Sequence, residues 1–335
     1  MDAAGGERLR LEAGRAMAQI VVSLREQVGQ VLHRSGAVVA VSGGIDSSVC
    51  AALAVQAFGA KRVLALALPE RDSDPASLEL ARALATHLGV ELVVEDVSPL
   101  LEAAGCYARR DAAIARLVPW GPGWRSKLVV EGGGRDSDRL PLSYLVVRDP
   151  DGREERVRLP VREHREIVAA TNFKQRVRAM LAYYHADRLQ YAVVGTPNRL
   201  EYELGFFVKG GDGLADVKPI AHLYKSQVYQ LAEHLALPAA IRARAPTTDT
   251  YSLPQSQEEF FFASPLGELD RVLEARNAGR DAAAAARELG LGARQVERMY
   301  DEIDRKRRAA RYLHLPPLLV DPALEVEAEV AVEVG

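Results

Sequence analysis

Residues 37–55, AVVAVSGGIDSSVCAALAV, join a strand-like apolar run to a helix-like apolar run through a glycine pair, an acid and serine hydroxyls. A strand without polar alternation must be covered on both faces, which places it in a parallel sheet between layers of helix. The same rhythm continues downstream. RVLALAL reads as a second buried strand, DPASLELARALATHLG as a capped helix and VELVVEDV as a third strand. Parallel neighbours need a long crossover, usually a helix, so this spacing predicts an α/β fold: an open, mostly parallel sheet flanked by helices. Further on, YAVVGT supplies one more buried strand, ending in a glycine–threonine pair.

With 335 residues the chain can build one large core or two modest domains. Its 48% hydrophobic and 27% charged residues describe a folded chain and exclude a disordered or collagenous one. A formal net charge of -3 gives no support to a nucleic-acid-binding surface, and the basic cluster DRKRRAARY is short enough to be a solvated helix face. No apolar run is long enough for a membrane span, and the first residues carry acids where a signal peptide has an apolar core. A cytoplasmic location is the expectation. Cys50 falls on the apolar face of a helix, so reduced, buried thiols are expected and a disulfide scaffold is not.

Helical periodicity covers residues 11–33 and 99–117 and returns in HREIVAATNFKQRVRAMLAYYHADRLQ. Between them, RDPDGRE reads as a hairpin turn joining SYLVV to RVRLP, within a β-rich excursion over 118–160. Trp120 and Trp124 lie in its Gly/Pro-rich neck, lining a pocket, contacting a partner or pinning the neck to the body. After YAVVGT come the loop KGGDGLADVKPI, the helix LYKSQVYQLAEHLA closed near Pro238, and the long polar loop RAPTTDTYSLPQSQEEFF. Helix is expected over 268–289 and 295–312. Residues 1–320 read as one domain with 118–160 as a β-hairpin insertion, and 321–335, with Glu325, Glu327, Glu329 and Glu333 and no base, as an acidic tail.

The loop SGGIDSS follows a buried strand and opens a helix, the position at which open parallel sheets bind ligands. Gly43 and Gly44 permit close approach, the amides and the helix start cradle an anion, and Ser42, Ser47 and Ser48 add hydroxyl donors. Neither the dinucleotide glycine fingerprint nor the Gly-Lys-Ser/Thr phosphate loop fits. Asp46 stands inside the loop, where a carboxylate beside phosphate needs an intervening cation. That makes it a magnesium ligand, with a helix cap as the plain alternative. Glu201, just beyond the strand ending in Gly195 and Thr196, is a second carboxylate at the same sheet edge. Lys225 is either a further positive charge for the phosphates or a solvated helix residue, and Asp212 and Asp216 would ordinarily be turn residues.

The Ser-Gly-Gly-x-Asp-Ser pattern resembles the signature of ATP pyrophosphatases of the adenine nucleotide alpha-hydrolase type. Within that group, GTPNRLEYELGFFVKGGDGLADVKPIAHLYKSQV and NFKQRVRAMLAYYHAD are similar to segments of NAD synthetases, and the likeness runs from about residue 14 to residue 315 around the hairpin. The resemblance implies ATP-dependent amidation of nicotinic acid adenine dinucleotide by ammonia through an acyl adenylate. It also implies magnesium held by Asp46 and Glu201, and an ATP site formed by Ser42, Gly43, Gly44, Ser47, Ser48, Thr196 and Lys225. Asn172, Arg176, Lys209, Asp212 and Asp216 would place the dinucleotide, with Asp212 a candidate proton acceptor for ammonium. Homodimers with the dinucleotide at the subunit interface are implied as well.

The long polar loop matches the family lid through Asp249 and Gln257, but Glu258 replaces an aspartate of the family lid and its terminal Leu-Gly pair is aromatic here. Only about 35 residues precede the first strand, so free ammonia is the expected donor unless a separate glutaminase delivers it. The same chemistry on a different carboxylate, a tRNA-modifying role or a non-catalytic nucleotide-binding subunit are the alternatives.

Overall fold

The computed structural model describes residues 7–132, 142–247, 250–262 and 264–320. The first apolar run forms β1 (Ala37–Ala40), and the reason for its unbroken hydrophobicity is visible at once. Ala37 and Val39 pack into a cluster with α1 (Ala13–Glu26) and α2 (Ile45–Phe58), while Val38 faces a second cluster on the other side of the sheet. β2 (Val63–Ala67) is likewise buried along its whole length. α3 (Pro75–Leu88) begins at Asp74, whose carboxylate accepts the Ala76 amide, and stops at Gly89 in the left-handed conformation. β3 (Glu91–Val94) completes the expected βαβαβ unit.

The helical pattern over 99–117 becomes two helices, α4 (Ser98–Ala103) and α5 (Cys106–Ile114), because Gly105 adopts φ 70° between them. β4 (Arg125–Glu131), β5 (Leu142–Arg148) and β6 (Glu154–Arg158) then form a separate antiparallel sheet in that order. The expected hairpin is present, with Arg148 opposite Glu154, and β4 adds a third strand to it. Trp120 and Trp124, 6.0 Å apart, pack against the apolar cluster beneath this sheet and pin the neck to the body.

α6 (Val161–Leu189) runs for 29 residues beneath both sheets. Ile167 packs under the small sheet, and Ala182 and Ala186 pack under the large one, so a single helix fixes their relation. β7 (Ala192–Val194) pairs with β1 on the side opposite β2, giving the all-parallel order β3-β2-β1-β7. The order changes direction at β1, so the crevice at the carboxyl ends of β1 and β7 is where a ligand is expected. α7 (Arg199–Leu204) and α8 (Lys225–His234) both start at that crevice, and α9 (Ala239–Ala243) follows.

The helix expected over 268–289 divides into α10 (Leu266–Asn277) and α11 (Ala282–Leu289). Gly279 at φ 72° ends the first, and the Asp281 carboxylate caps the second through the Ala284 amide at 2.7 Å. α12 (Ala293–His314) closes the described chain, and the acidic tail lies outside the described residues. Cys50 and Cys106 are free and buried, and no described helix is long and apolar enough to cross a membrane.

Ile167 is completely buried at the point where α6 meets the small sheet. Ile167→Ala should therefore lower stability by about 2–5 kcal/mol, read as a reduced urea midpoint with an unchanged slope.

Candidate functional site

A cleft of about 1310 Å³ opens at the carboxyl ends of β1, β2 and β7. The loop after β1 forms its floor. Gly43 turns at φ 70°, and a side chain there would meet Leu80 Cβ and the Ser77 carbonyl at 2.8 Å. The turn is braced internally: the Gly44 amide donates to Ser42 Oγ at 3.3 Å, and the Ser47 hydroxyl donates to the Gly44 carbonyl at 3.1 Å. Ser42, Gly44 and Ser47 line the cleft, as expected for an anion cradle. Ser48 does not. Its side chain is wholly buried and its hydroxyl donates to the Gly44 carbonyl at 2.8 Å, so it braces the loop where a phosphate donor was expected.

Asp46, in the first turn of α2, makes no capping bond to that helix. Its two oxygens are taken elsewhere. Lys225 Nζ donates to Oδ2, and Asn198 Nδ2 donates to Oδ1 at 3.1 Å. Asn198 also starts α7 through a reciprocal capping box: Asn198 Oδ1 accepts the Glu201 amide at 3.2 Å, and Glu201 Oε2 accepts the Asn198 amide at 3.1 Å. One buried asparagine thus ties Asp46 to Glu201. Gln257 Nε2 donates to Glu201 Oε1 at 3.0 Å from the polar loop.

These contacts set the electrostatics. Burial, with the charge of Asp46 added, pushes Glu201 up to about 8, against the opposing effect of Lys225. Burial works against a charged Lys225, but the carboxylates of Asp46 and Glu201 outweigh it and hold the ammonium above its ordinary value. The amides of Lys225 and Ser226 donate to the buried Asp270 carboxylate at 3.2 and 2.7 Å, which fixes the start of α8. Asn198 and Asp270 were not singled out from the sequence. The Asn-x-x-Glu spacing of a capping box was a legible sign of the first, whereas Asp270 is one acid within an ordinary amphipathic helix.

On the opposite wall, Asn172 and Arg176 of α6 face the cleft beside Lys209 and Asp212. Arg176 Nε donates to the Lys209 carbonyl at 3.4 Å. Lys209 Nζ donates to the carbonyls of Tyr312 and Leu315 at 2.9 and 2.7 Å, so its ammonium closes the end of α12. Asp212 reaches solvent inside the cleft, yet the protein packed around it raises its carboxyl, against the lowering effect of the Val208 amide at 2.7 Å. Asp216 departs from expectation. It accepts the Tyr183 hydroxyl at 3.0 Å and the Val193 amide at 2.7 Å, bracing β7 outside the cleft wall.

Thr196, Lys225 and Gln257 all line the cleft. Glu258 turns away and accepts the Leu266 amide at 2.8 Å, at the start of α10, so it takes no place in the cleft wall. Asp249 lies outside the described residues. Among the described residues no group of three or more His, Cys, Asp or Glu side chains converges as a complete metal site. Asp46 and Glu201 are two carboxylates joined through Asn198.

The family model described as NAD synthase matches residues 16–116 and 154–310 and passes over the stretch that carries β4 and β5. The NH(3)-dependent NAD(+) synthetase of Rhizobium meliloti (strain 1021) is 54% identical over 322 residues, 96% of each chain. That of Thermotoga neapolitana (strain ATCC 49049 / DSM 4359 / NBRC 107923 / NS-E) is 38% identical over 258 residues, covering 76% of this chain and 81% of its own. Among solved structures, an NMN synthetase from Francisella tularensis superposes with a TM-score of 0.63 at 22% identity, covering 94% of this chain and 100% of its own. An NH3-dependent NAD synthetase from Campylobacter jejuni, in complex with the nitrate ion, gives 0.61 at 19% identity over 93% and 100%. At these identities the structural likeness bears on the fold alone.

The Glu201 shift has a measurable consequence. A carboxyl raised from 4.5 to about 8 on folding contributes stability that is complete below about 4.5 and lost as pH rises through about 8. Urea denaturation of the ligand-free protein should show that decline, and Glu201→Gln should flatten it across the same window.

Proposed function

This chain belongs to the NAD synthase family, and on that premise we propose that it amidates nicotinic acid adenine dinucleotide with ammonia, converting ATP to AMP and pyrophosphate. It is a carbon–nitrogen ligase. A carboxylate resists ammonia because it is resonance-stabilised and offers no leaving group. In the first step a substrate carboxylate oxygen bonds to the α-phosphorus of ATP while the bond to pyrophosphate breaks, giving an acyl adenylate. In the second step ammonia bonds to the activated carbonyl carbon, AMP leaves and a proton is lost.

The observation that carries this reading is the Asp46–Asn198–Glu201–Lys225 cluster, set against the cradle of Ser42, Gly44 and Ser47. Loop amides and the start of α2 hold the pyrophosphate end of ATP, and Lys225 turns from Asp46 to the phosphates. Asp46 and Glu201 are the residues that would hold magnesium. A pair of carboxylates would suit this ion, which prefers oxygen donors and few protein ligands. When bound, the ion supplies neutralisation of the charge gathering on pyrophosphate. Thr196 lies at the ATP side of the cleft, while Asn172, Arg176 and Lys209 place the dinucleotide. Asp212, with its raised carboxyl, takes the proton from ammonium.

Free ammonia is the donor, and the protein is a cytoplasmic homodimer. Support for the dimer comes from Met180 and Tyr184, one helical turn apart on α6 and both largely exposed.

Incubation with ATP, magnesium, ammonium and nicotinic acid adenine dinucleotide should yield NAD and AMP in equal amounts. Adenylation only with another carboxylate, or ATP binding without pyrophosphate release, would overturn the reading. Asp46→Asn should reduce kcat/KM by ~100-fold or more, with pyrophosphate release falling in parallel. Asp212→Asn should depress NAD formation while pyrophosphate–ATP exchange in the presence of the acceptor persists.

A further inference from the structure

The cleft continues past the dinucleotide wall. Its volume, about 1310 Å³, exceeds the ~300–1,000 Å³ of a pocket for one small ligand. One face of α6 lines it from Ala182 back to His164, ~27 Å of helix at 1.5 Å per residue. At the far end the first turns of α6 meet the small sheet and enclose a distal chamber. Leu128 and Val130 of β4 and Ser143 of β5 form one wall, and His164, Val168 and Thr171 of α6 form the other. Val130 and Ser143 are register partners, and Leu128, two residues away, shares their face. β4 and β5 lie in the stretch that the family model passes over, so the strand wall falls outside the family pattern.

Charge divides the cleft. Arg176 and Arg178 line it further along α6, whereas the lining residues of β4, β5 and α6 before Asn172 include no Asp, Glu, Lys or Arg. Leu128, Val130 and Val168 supply apolar surface there. The Thr171 hydroxyl is spent on the Ile167 carbonyl at 2.7 Å, which leaves Ser143 and His164 to offer hydrogen bonds to an occupant. Burial, with the charge of Arg165 added, holds His164 below its ordinary value. At neutral pH its ring is therefore uncharged and presents one donor and one acceptor.

We infer that the distal chamber is a subsite for an uncharged heteroaromatic base, the adenine of the dinucleotide acceptor. The dinucleotide suits the order of the walls. Its reacting carboxylate lies toward the phosphate cradle, its diphosphate beside Arg176, and its adenine between the strand face and Val168, where ring nitrogens and the amino group meet His164 and Ser143. Val130, Ser143 and His164 are then the residues that tell a dinucleotide acceptor from a mononucleotide. The identity of the acceptor rests on the amidation reading above, whereas the affinity of the chamber for an adenine nucleoside does not.

ADP-ribose carries the adenine and the diphosphate without the reacting carboxylate, so its binding tests the chamber apart from the reaction. Calorimetric titration into the full-length protein, with the ATP site filled by a non-hydrolysable ATP analogue and magnesium, should show binding of ADP-ribose and none of ribose 5-phosphate. Val130→Trp, which fills the chamber, and His164→Leu should each weaken that binding by ~10-fold or more and raise the KM for the dinucleotide by a similar factor, with kcat and the KM for ATP changed less than about 2-fold. Nicotinic acid mononucleotide, which lacks the base, should be amidated equally by wild type and variants. His164→Gln, which keeps a donor and an acceptor, should recover much of the binding. Should Val130→Trp fail to fold, His164→Leu and His164→Gln carry the test. Unchanged ADP-ribose binding in the variants, or an equal loss with mononucleotide and dinucleotide, would overturn the proposal. ADP-ribose binding that the variants weaken, in a protein whose wild type forms no NAD, would support the subsite and overturn the reaction assigned above.

Discussion

Two carboxylates held close together with little water must be compensated, and Asp46 and Glu201 place that demand at the centre of this molecule. Within the protein the answer is local: Lys225 pairs with Asp46, and Glu201 is pushed toward its protonated form. On the reading proposed above, a triphosphate would draw Lys225 toward its own oxygens and leave the acid pair facing a phosphate. On that same reading, a cation held by the two carboxylates would resolve the conflict and would bind best with the nucleotide present. The scaffold serves this cluster. Asp46, Glu201 and Lys225 all sit in the first turns of helices that begin at the crevice beside β1 and β7. Helix starts favour anions, so the acids and the phosphate cradle gain from the arrangement. Lys225 is placed against that preference, and the buried Asp270 carboxylate at the start of α8 compensates.

β1, β2 and β7 were legible because they are buried on both faces, so hydrophobicity runs unbroken through them. Where expected helices broke, a glycine was the cause: Gly105 within 99–117 and Gly279 within 268–289 both take positive φ. Periodicity carried the pattern across those points, although Asn-Ala-Gly-Arg-Asp over 277–281 holds both a helix stop and a helix start. Asp46, Glu201, Lys225 and the glycine turn came together as read. Residue type alone did not reveal which way Ser48 and Asp216 point. A serine one helical turn from the Gly44 carbonyl bonds back to it, and an aspartate beside a strand end braces the strand. The Lys174–Glu70 pair spans 104 positions and had no local signature at all.

The small antiparallel sheet changes the character of the polar loop beside it. The stretch read as a lid alternates anchors with polar contacts: Tyr251, Leu253 and Phe262 go inward while Gln255 and Gln257 reach β4 and Glu201. α6 makes this possible, since it packs under both sheets, supplies Lys174, and presents Asn172 and Arg176 to the cleft from a different face. The inserted sheet, the covering segment and the acceptor wall are therefore referred to a single rigid helix.

Manganese is a paramagnetic stand-in for magnesium, and its binding can be followed by electron paramagnetic resonance with and without a non-hydrolysable ATP analogue. Tight binding that appears only with the nucleotide, and disappears when Asp46 and Glu201 are both replaced by their amides, is the predicted result. Binding of equal strength without nucleotide, or retained in the doubly substituted protein, would contradict the shared-cation site.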